Sequence, residues 1–327
     1  MNRHPGLAAY DRSIDEAYRR WVETLAAPLQ SIAFALPHHI GHARSRWRSW
    51  RQVFPTPATR ALPWLVAEGF PAVSPAAGAQ LCAAYVFGAF LALIDDRLID
   101  RQAAFSRNLN LVRRCLEAEV LRCLAIVGRH EGFWRLYRHA FRQYAAAHAR
   151  EPQLWRGTGA RAGHSRYVRE SAAKTAIARV PVVAIGVLGG ATPAGLSRLE
   201  QLVDHYLVAM QYADDVADWE DDFRSGRWTY FIQQHLSAAE ARRTAPVTLA
   251  ELRVRVAAAA TTEDFLCRAS WHYAACIRAS RAFAVPRLRA WVGQRRDQLR
   301  TLAVERQCAR QQPQRALVQE LERAWLS

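Results

Sequence analysis

The feature of this sequence that most limits its fold is helical periodicity. Apolar residues recur at helical spacing in most windows, and the alternation of apolar and polar residues that marks strands is absent. Helix-breaking residues divide the chain into segments of about 15–30 residues, which are long for globular helices. The breaks fall at residues 55–57, 71–75, 151–152, 192–193, 225–226 and 286. The pattern predicts an all-α fold, one large helical bundle forming a single domain over residues 1–327, with residues 1–54 as a helical extension packed on it.

Two segments carry signals for the start of a helix. Thr192 precedes Pro193, and proline is favoured in the first helical turn. Ser237 and Glu240 have the spacing of a capping box, in which each side chain accepts a hydrogen bond from the backbone amide of the other residue. We therefore expect helices to begin at Pro193 and directly after Ser237.

The chain is strongly basic, with a formal net charge of +16 from 45 Lys and Arg residues and 29 Asp and Glu residues. Basic surfaces attract nucleic acid, anionic lipid or phosphorylated small molecules. Lys174 is the single lysine, so an Arg-for-Lys bias in composition accounts for much of the charge. Arginine substitutes poorly where a compact ammonium group is needed. Lys174 is therefore a candidate for such a place.

A basic, Trp-rich stretch at residues 44–51 allows two interpretations. It fits a solvated amphipathic helix, and it also fits a patch that contacts nucleic acid or a membrane surface. A noncatalytic, nucleic-acid-binding helical protein is thus an alternative that rests on charge alone. That alternative leaves the acidic motifs of the chain unexplained, so we expect no nucleic acid partner. Peripheral contact with a membrane stays open.

The sequence predicts a cytoplasmic protein without a transmembrane segment. Its most apolar stretches, residues 81–94 and 180–191, are shorter than the ~20 residues that span a bilayer, so both are interpreted as core helices. The first ten residues lack the features of an export signal. The six cysteines show no metal-ligand spacing and are interpreted as reduced thiols.

A first acidic motif follows the apolar stretch at residues 81–94. Asp95, Asp96 and Asp100 would project from one sector of a helix. Three carboxylates at the end of an apolar run repel one another and are costly to desolvate, and a hard divalent cation such as Mg²⁺ removes that cost. Pairing with Arg97 and Arg101 at a solvated helix end explains the motif equally well. This motif alone leaves both interpretations open.

A second acidic motif, at residues 211–222, is more specific. Asp214, Asp218 and Asp222 recur every four residues and so share one helix face, with Gln211 on the same face one turn earlier. Like charges at this spacing destabilise a helix by about 0.2–0.5 kcal/mol per pair. Such a cluster requires counter-ions, which favours a metal site over an acidic solvated surface.

Together the two motifs, DDxxxD and further along the chain QxxDDxxD, resemble the class I isoprenoid synthase superfamily. This superfamily includes trans-prenyltransferases, squalene/phytoene synthases and terpene synthases. The resemblance covers roughly residues 55–285 and implies a helical bundle with a central active-site cavity, a prenyl diphosphate substrate, three Mg²⁺ ions and a homodimer. It implies that the metal ligands are Asp95, Asp96, Asp100, Asp214, Asp215, Asp218 and Asp222.

The second motif is similar to two branches of the superfamily at once. Gln211 with the following aspartates resembles trans-prenyltransferases, whereas the four-residue aspartate repeat followed by Gly226 and Arg227 resembles squalene/phytoene synthases. The Asn/Ser/Glu triad that is usual in terpene synthases is absent.

The same resemblance implies basic partners for the departing diphosphate. Lys174 and Thr175 look like the Lys-Thr element of trans-prenyltransferases, and Arg169 stands where terpene synthases place a diphosphate-sensing arginine. Arg227 and Tyr230, which come after the second motif, would close over the departing group. The catalytic set implied in this way is Asp95, Asp96, Arg169, Lys174 and Arg227. Further candidates on a late helix are His272, Arg278 and Arg281.

The stretch before the first motif separates cyclisation from chain elongation. Chain-elongating relatives hold a second diphosphate on a Gly-Lys-Arg…Arg-Pro element, and the counterpart here is residues 58–63. Arg60 and Pro63 match, but the Gly-Lys pair and the second arginine do not, and the Arg-Arg pair expected after Asp100 is also missing. Each lost charge-assisted hydrogen bond forfeits about 1.5–3 kcal/mol. The eroded acceptor site favours a terpene synthase that ionises one prenyl diphosphate and cyclises the carbocation. The alternative is a prenyltransferase that elongates a chain or couples two chains head to head.

Aromatic residues near the motifs are candidates for the lining of the substrate cavity, because aromatic faces stabilise positive charge. Core packing explains each of them equally well. Phe90 precedes Asp95 by five residues, where family members use bulk to limit chain length, so we favour a C15 or C20 substrate. The residues implied to bind substrate are Tyr85, Phe87, Phe90, Thr175, Gln211, Tyr212 and Tyr230.

Overall fold

The computed structural model describes residues 6–40, 49–54, 57–99, 106–155 and 163–326. Over these residues the chain is helical, with no strand, which confirms the all-α prediction. Asp100 and residues 44–48 of the Trp-rich stretch lie outside the described residues. The helices, in chain order, are α1 (Leu7–Glu23), α2 (Ala27–His39), α3 (Trp50–Val53), α4 (Pro57–Ala67), α5 (Pro75–Ile99), α6 (Arg107–Leu124), α7 (Glu131–Trp155), α8 (His164–Lys174), α9 (Arg179–Leu188), α10 (Pro193–Ala217), α11 (Trp219–Arg224), α12 (Tyr230–Gln233), α13 (Ala238–Ala241), α14 (Leu249–Ala258), α15 (Thr261–Ser280) and α16 (Pro286–Leu326).

Most of the predicted helix boundaries are found. The helices α4, α5, α10 and α16 begin at prolines, and Gly226, with a φ of 77°, comes just after the end of α11. The capping box at Ser237 and Glu240 is formed in both directions. The break predicted at residues 151–152 is wrong, because α7 continues to Trp155. A proline removes only one amide donor, which has little effect this close to a helix end.

The chain divides into two compact units. The first contains Met1–Ala140, Ile177–Glu200 and Ser280–Arg289, and the second contains Phe141–Ala176, Gln201–Ala279 and Ala290–Ser327.

In the first unit, α5 packs against α1, α4, α6 and α9. Its residues from Leu81 to Phe87 are all buried, so this helix has no polar face along that stretch. By length and composition α5 could cross a membrane, but 61% of its most apolar 18-residue window is buried within the protein. Elsewhere in the described part of the chain, the same test is passed only by α8 and α9 taken together as one broken span. Burial of α5 by its neighbours agrees with the predicted core helix at residues 81–94.

The second unit has two apolar clusters around the second acidic motif. One surrounds Tyr167, whose ring packs 4.7 Å from both the Tyr212 and the Tyr230 rings, with Phe265 alongside. The other contains the buried residues Ile232, Leu236, Ala241 and Leu252, on which Trp219, Phe223, Trp228, Val247 and Val256 pack. Packed aromatic and aliphatic side chains therefore surround the helices that carry the second acidic motif.

Candidate functional site

The second acidic motif spans a break between two helices rather than one continuous helix. The helix α10 ends at Ala217, and Asp218 has φ −109° and ψ 5° before α11 begins at Trp219. The four-residue spacing nevertheless survives. The amide of Asp218 donates to the carbonyl of Asp214 (2.9 Å), and the amide of Asp222 donates to the carbonyl of Asp218 (3.0 Å). The three aspartates predicted to share a face therefore remain neighbours.

These carboxylates act on one another electrostatically. Asp214 and Asp218 are exposed, whereas Asp222 is buried. The pKa of Asp222 is raised to about 6, chiefly by burial and also by the charges of Asp218 and Asp214, while Arg227 and Lys174 act to lower it. Arg227 places its Nη2 2.7 Å from Oδ1 of Asp222. Asp222 thus lies within electrostatic reach of two carboxylates and two cations.

The donor chemistry of this group fits Mg²⁺, which prefers oxygen ligands and binds through a few carboxylates while it keeps positions for water and phosphate oxygens. The pKa of Asp222 is raised chiefly by its burial and further by the charges of Asp218 and Asp214, and a divalent cation bound beside it would lower that pKa. Asp214, Asp218 and Asp222 are therefore the residues that could hold the ion.

Lys174 lies beside this group, at the last residue of α8. Its ammonium Nζ is 2.7 Å from Oε1 of Glu151, and its charge lowers the pKa of Asp222. Thr175 donates its hydroxyl to the carbonyl of Ser171 (3.0 Å), one turn back in the helix. Arg169 is exposed on α8. The structure thus brings Lys174 and the second acidic motif together, as the sequence predicts, and adds an internal partner for the lysine.

Asp215 points into the protein and belongs to a different group. It is 3% exposed, and its carboxylate accepts hydrogen bonds from Nε2 of Gln211 (2.7 Å) and from the hydroxyl of Tyr167 (3.0 Å). Burial raises the pKa of Asp215 to about 7, although the two hydrogen bonds act to lower it. The sequence places Gln211 with Asp214, Asp218 and Asp222, but its amide contacts Asp215 instead. The reason is that Asp215 is four residues after Gln211, and side chains four residues apart on an α-helix are neighbours. The assignment of Gln211 to the face of Asp214 and Asp218 did not take this into account.

Asp215 and Lys174 border one cavity of about 50 Å³, which has room for a few water molecules. Within the second unit its walls combine a cation with carboxylates and hydroxyls, and they include Glu151, Tyr167, Lys174, Gln211, Asp215 and Thr229.

The aromatic candidates of the second unit, Tyr212 and Tyr230, both pack against the ring of Tyr167. Tyr212 is fully buried, and its hydroxyl lies 2.8 Å from Nδ1 of His164. Tyr230 stacks on Tyr167. His272 is buried with its Nδ1 3.0 Å from Nδ1 of His205, and burial lowers its pKa to about 4, which favours the neutral imidazole.

The two late arginine candidates lie at the surface. The guanidinium of Arg278 sits 5.7 Å from the ring centroid of the exposed Trp271, and Arg281 is exposed.

The first acidic motif lies in the first unit, at the end of α5. Asp95 is paired with Arg113 of α6 through both carboxylate oxygens: Nε of Arg113 contacts Oδ1, and Nη2 is 2.9 Å from Oδ2. Asp96 is half-buried in the same last turn. The sequence offers Arg97 and Arg101 as local partners, whereas the observed partner comes from the next helix.

The aromatic candidates of α5 pack against α1. Phe87 and Phe90 are fully buried, and their ring centroids lie 5.7 and 6.4 Å from that of Tyr18. Tyr85 is also buried, which raises the pKa of its hydroxyl. These contacts fill the core of the first unit, and a role in lining a substrate cavity stays a prediction.

Arg60, the arginine kept from the acceptor-diphosphate element, is buried in an ion pair. Its Nε and Nη2 lie 2.7 and 3.1 Å from the two carboxylate oxygens of Asp11, and its Nη1 donates to the carbonyl of Phe54 (3.1 Å). The two side chains are only 3% and 7% exposed. Leu62, which takes the place of the second arginine, is fully buried. The guanidinium of Arg60 is therefore bound to the Asp11 carboxylate of α1 and to the carbonyl of Phe54.

The sequence assigns no role to three of the residues found in these groups: Asp11, Arg113 and Glu151. Each lies on a different helix from its partner, and no spacing rule connects them. The sequence also assigns no role to Tyr167, although this residue stands two positions before Arg169, in a stretch that carries other candidate residues.

Comparison with protein-family models finds no match, and comparison with curated proteins finds no significant match either. Solved structures do match. The polyprenyl synthetase from Streptomyces coelicolor A3(2) aligns with 91% of this chain and 99% of its own, with a TM-score of 0.67 and 17% identity. The decaprenyl diphosphate synthase from Rhodobacter capsulatus covers 91% and 97%, with a TM-score of 0.69 and 17% identity.

A third similar structure is the polyprenyl synthase from Caulobacter crescentus CB15 complexed with calcium and isoprenyl diphosphate. It covers 91% of this chain and 98% of its own, with a TM-score of 0.67 and 16% identity. The architecture expected from the two acidic motifs is therefore confirmed: the chain has the all-helical fold of the class I isoprenoid synthases.

Proposed function

We propose that this protein is an Mg²⁺-dependent enzyme that ionises an allylic prenyl diphosphate. The observation that carries the proposal is the group formed by Asp214, Asp218 and Asp222 with Lys174 and Arg227 beside it. Carboxylates can hold Mg²⁺, and neighbouring cations can neutralise a diphosphate that is bound to the metal. The fold supports the same assignment, since similar structures carry prenyl synthase names and one contains calcium and isoprenyl diphosphate.

The side chains divide the work between them. Asp214, Asp218 and Asp222 would hold the metal, and Mg²⁺, when bound, supplies the Lewis acid that stabilises a departing pyrophosphate. Lys174 and Arg227 add positive charge at the same place, which lowers the cost of charge that develops as the carbon–oxygen bond breaks. To do so, each must exchange its internal carboxylate partner, Glu151 or Asp222, for phosphate oxygens.

Prenyl transfer to a second isoprenoid diphosphate is the first candidate for the step after ionisation. Several structures similar to this chain are named as polyprenyl, decaprenyl diphosphate and geranylgeranyl pyrophosphate synthases, and none of these names refers to a cyclase. The Gln-Asp-Asp order at Gln211 also resembles trans-prenyltransferases.

Cyclisation by a terpene synthase is the second candidate, and the environment of Arg60 favours it. An acceptor diphosphate needs cations of its own, and Arg60 is held by Asp11 and the carbonyl of Phe54. With Leu62 buried in the place of a second arginine, residues 59–63 offer a diphosphate little charge. The carbocation would then be captured by its own double bonds. For either candidate a C15 or C20 allylic substrate is our expectation.

The deciding experiment supplies C10 to C20 allylic diphosphates with Mg²⁺, each with and without isopentenyl diphosphate. Turnover only with isopentenyl diphosphate establishes chain elongation, and cyclic products with the carbon number of the single allylic diphosphate establish cyclisation. A hydrocarbon with twice that carbon number would establish head-to-head coupling. No Mg²⁺-dependent release of pyrophosphate from any of these substrates would contradict the whole proposal.

The site assignment is checked with matched variants in the same assay. Asp214→Asn and Asp218→Asn should each lower turnover by about 100-fold or more, in line with the loss of a group that stabilises a leaving charge. The control is Asp221→Asn, since Asp221 is 80% exposed in the same motif but pairs with Arg224. Equal losses in all three variants would argue against a specific metal face.

A further inference from the structure

Arg113 contacts both carboxylate oxygens of Asp95. Its guanidinium meets the carboxylate side-on, with Nε toward Oδ1 and Nη2 2.9 Å from Oδ2. The pair is largely shielded from water, because the Asp95 side chain is 13% exposed and that of Arg113 26%. Charge-assisted pairs of this bidentate kind are the strong ones among hydrogen bonds.

The position of Arg113 is a consequence of how α6 packs. Val112 and Leu116 are fully buried, so the residue after Val112 lies at the edge of the buried face, where it can reach α5. Arg113 also has Glu117, one turn along α6, with its oxygen 3.7 Å from Nη1. That second carboxylate gives the guanidinium a partner to keep if Asp95 is taken by another cation.

A carboxylate whose two oxygens are both engaged cannot ligate a metal until its partner moves. We propose that Arg113 is an internal counter-ion of the first acidic motif. In the substrate-free protein its guanidinium takes the place of a metal ion at the Asp95 carboxylate and so prevents a divalent cation from binding there. Arg113 is thus a positioning residue that acts through Asp95. The inference rests on the proposed function in one respect, that Asp95 is a ligand for the metal of the prenyl diphosphate site.

The test measures Mn²⁺ binding to the full-length protein without substrate, by the electron paramagnetic resonance signal of free Mn²⁺. Arg113→Gln should bind Mn²⁺ about tenfold more tightly than the wild type, since a charge-assisted pair no longer opposes binding. The matched control is Arg114→Gln, which removes the same charge from the next, exposed position and should change the affinity by less than about twofold. Adding Asp95→Asn to Arg113→Gln should abolish the gain.

A gain no larger than that of the Arg114 variant, or one that persists without the Asp95 carboxylate, would overturn the proposal. If Arg113→Gln fails to fold, Arg113→Met provides the same test, because methionine keeps a long side chain but removes the charge, and an affinity equal to that of the wild type would then refute the proposal. Failure of the proposed function is a separate result. It shows as absence of turnover in the wild type, whatever the Mn²⁺ titration of the variants gives.

Discussion

Arg60→Met is expected to destabilise the first unit rather than to weaken binding of a second substrate. The substitution removes three hydrogen bonds and takes the Arg60 charge away from the Asp11 carboxylate, which is 7% exposed. Breaking a buried ion pair from one side costs about 3–5 kcal/mol, because the remaining charge is desolvated and unpaired. For a cooperative unit of 150–250 residues, roughly 2–4 °C of Tm is lost per kcal/mol, so a fall of about 10 °C is expected.

The measurement is thermal and urea unfolding of the wild type and of three variants. Arg12→Met, which removes an exposed arginine next to Asp11, is the control for charge and should leave Tm within about 1 °C. The double variant Asp11→Leu, Arg60→Met removes both charges and should recover much of the loss. If Arg60→Met keeps the wild-type Tm but raises the KM for isopentenyl diphosphate, then Arg60 binds the acceptor and the structural assignment is refuted.

Three further outcomes are expected. The pKa of Asp215 is about 7 in the folded protein against an ordinary 3.8, so the stability that its protonated form contributes is present below pH 4 and lost as the pH rises through 7. Asp215→Asn removes this loss. The free energy of unfolding of the variant minus that of the wild type should therefore be larger at pH 8 than at pH 5 by at least ~1 kcal/mol, measured by urea titration at the two pH values. Glu151→Gln frees the Lys174 ammonium, and calorimetric titration should show inorganic pyrophosphate binding a few-fold more tightly, whereas unchanged affinity would mean that Glu151 does not compete. Gly226→Ala should lower the free energy of unfolding by about 1 kcal/mol, because the φ of this residue is 77° even though nothing obstructs a Cβ. Gly88→Ala, in open space on α5, should raise the free energy of unfolding by up to ~1 kcal/mol in the same assay.

Local signals in the sequence were enough for the helices and for part of the site. Prolines at the first turn and a capping box act over a few residues, so the starts of α10 and α13 could be predicted directly. The spacing of Asp214, Asp218 and Asp222 likewise survived a break in the helix, because backbone hydrogen bonds bridge it.

The partners from other helices could not be predicted from the sequence. Asp95 has local arginines as candidates, but its partner Arg113 is 18 residues away on α6, and Lys174 pairs with Glu151 at a separation of 23 residues. Such pairs depend on which faces of two helices meet, and periodicity alone does not determine that. The expectations of a single domain, a homodimer and a cytoplasmic location stay predictions.

The ion pair between Asp11 and Arg60 also sets an order on the assembly of the first unit. The two residues are 49 positions apart, and Asp11 is made first. Until α4 has left the ribosome, the Arg60 guanidinium that binds this carboxylate is missing, so α1 lacks one of the contacts that bury it. Tyr18, which packs on Phe87 and Phe90 of α5, waits for a still later helix. The N-terminal helix is therefore expected to dock late in synthesis, and a nascent chain halted before α5 should still have α1 open to protease.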